Sequence, residues 1–179
     1  MLYARVPIDR VGVLIGEGGQ TKARLEEITG IKVIIDSQTG EVTIDESQAK
    51  DPANALKVRD IVTAIGRGFS EERAFRLLDD DTYFVVMDIK QAAGDSKERV
   101  AQVKGRVIGT GGKTRRLIEE LAGVDISVFG HTVAIIGESF HLEIGRQAVE
   151  MLLRGSEHKT VYRFLERKRG EIKAYEMGL

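Results

Sequence analysis

Two glycine-rich stretches carry the residue types and spacing best suited to chemistry. Gly16-Glu17-Gly18-Gly19 and Gly109-Thr110-Gly111-Gly112 each place main chain without Cβ next to the start of a helical pattern. Bare main chain lets a phosphodiester approach closely, and a helix N-terminus offers it unpaired N–H groups. The chemistry on offer is anion binding. Gly112-Lys113-Thr114 invites comparison with a nucleotide-binding P-loop, but the glycine that motif needs five positions earlier is Val107, and the pattern leading into the loop is helical. A dinucleotide fingerprint fails too, because its third glycine falls on Thr21 or Thr114 and no βαβ unit follows.

Other chemistries find little support. His131, His141 and His158 are scattered, and none stands at ligand spacing from an acid. Glu26-Glu27 and Glu119-Glu120 recur, but adjacent carboxylates on a helix are solvated and no partner acid is evident. The absence of cysteine from all 179 residues removes disulfides, thiolate zinc sites, iron–sulfur clusters and thiol catalysis. No catalytic residue, metal or cofactor is expected, and the reading is of a protein that is not an enzyme. With 42% apolar and 31% charged residues the chain can bury a core. It has no apolar run approaching ~18 residues and no signal-peptide pattern after Met1, so a soluble, cytoplasmic protein without membrane association is expected.

The formal net charge of −1 conceals an uneven distribution. Residues 1–81 carry 11 basic and 15 acidic side chains, and residues 82–179 carry 16 and 13. Residues 97–116 hold seven basic side chains (Lys97, Arg99, Lys104, Arg106, Lys113, Arg115, Arg116) against Glu98 alone. Such a cluster is either a solvated helix face or a local field that steers a polyanion.

The elements around the loops repeat. Residues 15–30 align without a gap to residues 108–123, with eight of sixteen positions identical at an offset of 93. Two copies make two related domains rather than a solenoid. In each, Leu25 and Ile28, or Ile118 and Leu121, put apolar groups on one helical face, and Gly30 or Gly123 falls at the left-handed C-cap. Ile31, Val33 and Ile35 alternate as a strand does, as do Val124, Ile126 and Val128. Turns over residues 36–40 and at Gly130-His131 lead to second strands over 41–45 and 132–136. Asp51-Pro52, as N-cap and first helical position, opens a closing helix that ends at Gly66, and Ser139 opens its counterpart with Phe140, Ile144, Ala148 and Leu152 on one side. Between the copies, residues 69–78 form a short helix bounded by Asp79-Asp80-Asp81. Residues 83–89 form the next strand, and a capping box at Asp95-Ser-Lys-Glu98 starts a longer first helix. A basic helical tail anchored by Tyr162, Phe164 and Leu165 runs to about Gly170.

A Gly-x-x-Gly turn joining two short helices, with strands behind it, resembles the KH domain in both halves, most closely at Val107-Ile-Gly-Thr-Gly-Gly-Lys. The order matches the eukaryotic-type (type I) domain. The resemblance thus implies an α+β chain of two tandem type I KH domains, each βααββα with a three-stranded sheet backed by helices. The expected ranges are 1–68 for the first domain, 69–81 for a helical linker, 82–155 for the second domain and 156–179 for the tail. Phe84-Val-Val-Met-Asp-Ile-Lys-Gln-Ala-Ala-Gly-Asp, the Gly-Lys-Thr of the second loop, and Gly155-Ser-Glu-His-Lys-Thr-Val-Tyr162 extend the likeness over nearly the whole chain. It resembles the archaeal and eukaryotic partner-of-Nob (Pno, or Dim-type) pre-ribosomal RNA processing factors. That resemblance implies binding of single-stranded RNA near the 3′ end of small-subunit (16S-type) rRNA. It implies partners among an rRNA-processing endonuclease, an rRNA methyltransferase and a translation initiation factor. A monomer is expected.

Loops of this kind clamp about four nucleotides. The RNA-binding set expected in the second copy is Gly109, Thr110, Gly111, Gly112 and Lys113, with Lys104, Arg106, Ile108, Arg115 and Arg116 around them. In the first copy it is Gly16, Glu17, Gly18, Gly19 and Lys22. At 6% aromatic residues and no Trp, stacking platforms are not supported, so bases are expected in an apolar groove between Val107 or Ile108 and Ile126 or Val128, at least half of which serve as core. Lys22 and Arg115 stand where the common KH pattern has an apolar residue. The second domain is expected to dominate. Glu17 lies in the first turn, and a carboxylate about 5 Å from a phosphate costs roughly 0.8 kcal/mol even in water. Gln20, supported by Lys22 and Arg24, replaces Lys113. The alternative is a protein-docking scaffold that keeps the KH fold with little RNA contact of its own.

Overall fold

The computed structural model describes residues 1–179. Six short strands build two three-stranded antiparallel sheets, one in each of the units Met1–Asp79 and Asp80–Leu179. In the first unit the elements are β1 (Leu2–Arg5), α1 (Ile8–Ile15), α2 (Gln20–Thr29), β2 (Lys32–Ile35), β3 (Glu41–Asp45), α3 (Asn54–Gly66) and α4 (Glu71–Ala74). In the second they are β4 (Thr82–Asp88), α5 (Ile89–Ala93), α6 (Lys97–Ile108), α7 (Lys113–Ala122), β5 (Asp125–Phe129), β6 (Thr132–Glu138), α8 (Ser139–Leu153) and α9 (His158–Glu176). β3 and β6 are the central strands, with Thr43 opposite Tyr3 and Ile34, and Ile136 opposite Phe84 and Asp125. Each unit has the βααββα order expected of a type I KH domain followed by a fourth helix, α4 or α9, with the short α5 as an insertion after β4 in the second. Leu14, Leu25, Val33, Ile44, Val58 and Ile65 are buried in the first unit, and Val107, Ile118, Ile126, Ile135, Ala148 and Leu152 in the second. No helix is long and apolar enough to cross a membrane.

Several local expectations shift. α5 fills the stretch between the strand expected over 83–89, which ends one residue early, and the capping box expected at Asp95: Asp88 Oδ1 accepts from the Lys90 N–H at 2.9 Å as its N-cap, and Gly94 ends it. Ser96, not Asp95, caps α6, accepting from the Arg99 N–H. Asp51 Oδ1 accepts from the Ala53 N–H in a turn that precedes α3, so Pro52 is not its first helical residue. Ile28 is 56% exposed whereas Leu121 is 6% exposed. α2 buries Thr21, Leu25 and Thr29 instead, and Leu121 is covered because α9 packs along α7 and α8. α9 runs past Gly170 to Glu176, held by the burial of Ile172.

The helices that sequence placed in a linker and a tail are one element of the repeat. Gly68 and Gly155 both adopt φ 101°, Ser70 and Glu157 occupy the two N-cap positions, and Ala74 and Val161 are both fully buried, all at an offset of 87 residues. α4 packs within the first unit and α9 within the second, and a 3-10 turn over Phe75–Leu78 stops the first copy early.

An arginine from the helix before the glycine loop clamps the turn that leads into this fourth helix in both units. Arg10 donates from Nε to the Ile65 carbonyl and from Nη2 to the Phe69 carbonyl, both at 2.8 Å. Burial pushes the Arg10 pKa down, opposed by Asp9. Arg106, one turn further along its helix, donates from Nη1 to the equivalent Leu152 carbonyl at 3.1 Å and from Nη2 to that of Ser156. The guanidinium expected among the RNA ligands is therefore held on the protein's own main chain. Hydrogen bonds from a charged donor to half-buried carbonyls are worth about 1.5–3 kcal/mol each. Replacing Arg106 by Ala should lower the unfolding free energy by about 2–3 kcal/mol in urea denaturation, and Lys113→Ala should leave it unchanged within ~0.5 kcal/mol.

Candidate nucleic-acid interface

Each loop is a single 3-10 turn between two helices. Gly16, Gly18 and Gly19 have φ of 80, 60 and 77°, and Gly109, Gly111 and Gly112 have 74, 61 and 79°. The amides of Gly19 and Gly112 close the turns on the carbonyls of Gly16 and Gly109 at 3.1 Å. The first glycine of each loop is fixed by a neighbour. A Cβ at Gly16 or Gly109 would stand 2.2 Å from the Oγ1 of Thr21 or Thr114, both buried. The second is fixed by conformation alone, since a Cβ on Gly18 or Gly111 would meet open space. The inner side of the loop is thus filled by protein and its outer side is bare.

The loop threonines are held from behind by the fourth helix. Thr114 Oγ1 lies 2.9 Å from the Tyr162 hydroxyl, and Thr21 Oγ1 donates to Glu71 Oε2 at 2.8 Å. A second repeated device ties the following helix to the edge strand. Arg115 pairs with Glu119 at 2.6 Å while Glu119 Oε2 accepts from the Ile126 N–H, and Lys22 pairs with Glu26 at 3.1 Å while Glu26 Oε2 accepts from the Val33 N–H. Both of these expected ligands therefore already carry a carboxylate partner. The sequence assigns no supporting role to Thr21 or Thr114 and reads Glu26 and Glu119 as solvated, although the two threonines, like the two glutamates, lie at equivalent positions of the repeat.

The cations differ between the copies. Lys104, Lys113 and Arg116 enter no hydrogen bond or ion pair, and Lys113 and Arg116 are exposed. Arg116 Nη1 lies 3.1 Å from where a Cβ on Gly112 would stand, beside the loop. At the first loop Glu17 and Gln20 are exposed, and Arg24 Nη1 is bound to Glu71 Oε1 at 2.5 Å. Of the four expected groove residues, Val107 and Ile126 are core, while Ile108 and Val128 are half-buried beside the loop and on β5. A cavity of about 690 Å³ between β4, α5, β6 and α8 is lined by no loop residue. The loops present an open surface suited to a strand rather than an enclosed site.

Gly109→Ala adds a clash to an unfavourable φ, whereas Gly111→Ala adds only the latter at about 1–2 kcal/mol. The first change should lower the melting temperature several degrees more than the second, as measured by circular dichroism.

Residues 83–170 match a family profile described as the eukaryotic-type KH domain (type I), and residues 3–57 match the KH domain profile. The chain is 49% identical over 170 residues to the KH domain-containing protein MJ0443 of Methanocaldococcus jannaschii, covering 94% of this chain and 74% of that one. It is 34% identical over 137 residues to the pre-rRNA-processing protein pno1 of Schizosaccharomyces pombe, covering 74% of this chain and 56% of the yeast protein. It thus spans little more than half the length of that relative. Among solved structures, it is similar to aDim2p in the a/eIF2alpha-aDim2p-rRNA complex from Pyrococcus horikoshii OT3, with TM-score 0.88, 47% identity, and coverage of 95% of this chain and 94% of that one.

Proposed function

The chain belongs to the archaeal and eukaryotic Pno1/Dim2 family of KH-domain pre-rRNA processing proteins, and from that premise we propose that it is a ribosome-biogenesis factor. It binds single-stranded RNA near the 3′ end of small-subunit rRNA. The observation that carries the reading is the second loop, where bare main chain, the start of α7 and the unpaired cations Lys113 and Arg116 share one exposed corner. A ribose–phosphate strand meets N–H groups there without collision, and two unpaired cations neutralise it. Ile108 and Val128 supply the apolar surface for bases.

The second loop is the stronger. Lys22 and Arg24 at the first are paired with Glu26 and Glu71, and Glu17 adds a like charge to that of the phosphate. Those pairings also favour a second role for the first unit as a protein-docking surface. The relative solved with rRNA and a/eIF2alpha supports a translation initiation factor as the protein partner. An rRNA-processing endonuclease and an rRNA methyltransferase remain partners implied by the family.

Affinity for an unstructured RNA oligonucleotide, measured by fluorescence anisotropy, should fall with salt at a log–log slope of about −2 to −3. Replacing Thr110 and Gly111 by Asp should abolish binding with the fold intact, and the same change at Glu17 and Gly18 should weaken it less. A flat salt response, or the reverse ranking, contradicts the reading.

A further inference from the structure

The fourth helix of the first unit sets a carboxylate against the underside of its loop, and the second unit does not. Glu71 uses both oxygens: Oε2 accepts from the hydroxyl of Thr21, and Oε1 binds Arg24 at 2.5 Å. Thr21 Oγ1 in turn lies 2.2 Å from where a Cβ of Gly16 would stand, so only one hydroxyl separates the carboxylate from the first corner of the loop. Arg24 is further confined by the Phe75 ring, with its guanidinium carbon 5.5 Å from the ring centroid. In the second unit Thr114 meets the neutral phenol of Tyr162, the position equivalent to Arg24 is Leu117, and Arg116 stands unpaired beside Gly112.

We propose that Glu71 is a specificity-determining residue that weakens the first loop for RNA phosphate, acting through Thr21 and Arg24 without touching the strand. The inference rests on the reading that both loops receive the RNA backbone. A negative charge behind a phosphate site opposes its occupancy, and the same carboxylate holds the nearby cation that would otherwise contribute. The unequal strength of the two units is therefore set in α4 as well as by Glu17 and Gln20. Glu71 also lies in the first turn of α4, where a carboxylate favours the helix, so a stabilising role alone is the competing account.

The two accounts separate in the full chain with its second loop silenced by Lys113→Glu and Arg116→Glu, both surface changes. Adding Glu71→Gln, which preserves an acceptor for Thr21, should raise the residual affinity for an unstructured single-stranded RNA oligonucleotide about three- to tenfold and steepen the salt slope by about one. Glu71→Ala should move affinity the same way, and melting curves of each variant establish that it is folded. Unchanged or lower affinity in folded variants overturns the proposal and leaves Glu71 a stabilising residue. In that case strong binding by the unaltered chain keeps the functional reading intact. Absence of RNA binding by the unaltered chain overturns both.

Discussion

Beneath the first glycine of each loop a threonine hydroxyl fills the space a Cβ would need, and this contact determines much of what the loops present. With the inner side closed by Thr21 or Thr114, the chain can turn only through residues that tolerate positive φ, and it does so at three glycines in each copy. The outer side is left as main chain followed by a helix N-terminus, which binds anions through geometry rather than through any one side chain. The threonine needs support in its turn, and the fourth helix gives it, through Glu71 in one unit and Tyr162 in the other. A segment remote in sequence thereby fixes the shape of the binding surface.

The same scaffold is built twice with different charge. Glu26 and Glu119 link the helix after the loop to the edge strand in equivalent fashion, and Arg10 and Arg106 clamp equivalent carbonyls from positions one turn apart. These repeated contacts maintain the fold. What differs is how many cations remain for a ligand: Lys113 and Arg116 beside the second loop carry no partner, whereas Lys22 and Arg24 beside the first are each paired with a carboxylate. Neutralised cations add little to the attraction of a polyanion, so the proposed reading gives two loops of nearly the same backbone shape different strength.

Features set by local constraints were legible in the sequence. The loop glycines, the left-handed caps at Gly30 and Gly123, and the paired strands all follow from backbone freedom or from alternation over a few residues. The features that escaped depend on distant partners. Arg106 reads as a ligand because the carbonyls that hold it lie 46 and 50 residues away. Ile28 reads as core by analogy with Leu121, yet only the second unit has a fourth helix long enough to cover that position. Gly170 reads as a helix end, but the burial of Ile172 outweighs the ~1 kcal/mol cost of a glycine in the helix. The offset of 87 for the fourth helix differs from the 93 of the loops, so ungapped alignment conceals the equivalence of 69–78 with the start of α9.

The central claim is that bare main chain at the second loop meets a ribose–phosphate strand. Backbone amide NMR during titration with an unstructured single-stranded RNA oligonucleotide tests it most directly. The largest shifts are expected at the amides of residues 110–116, with a smaller set at 17–23. Shifts confined to α9 or to the strands, with the amides of 110–116 unmoved at saturation, would contradict it.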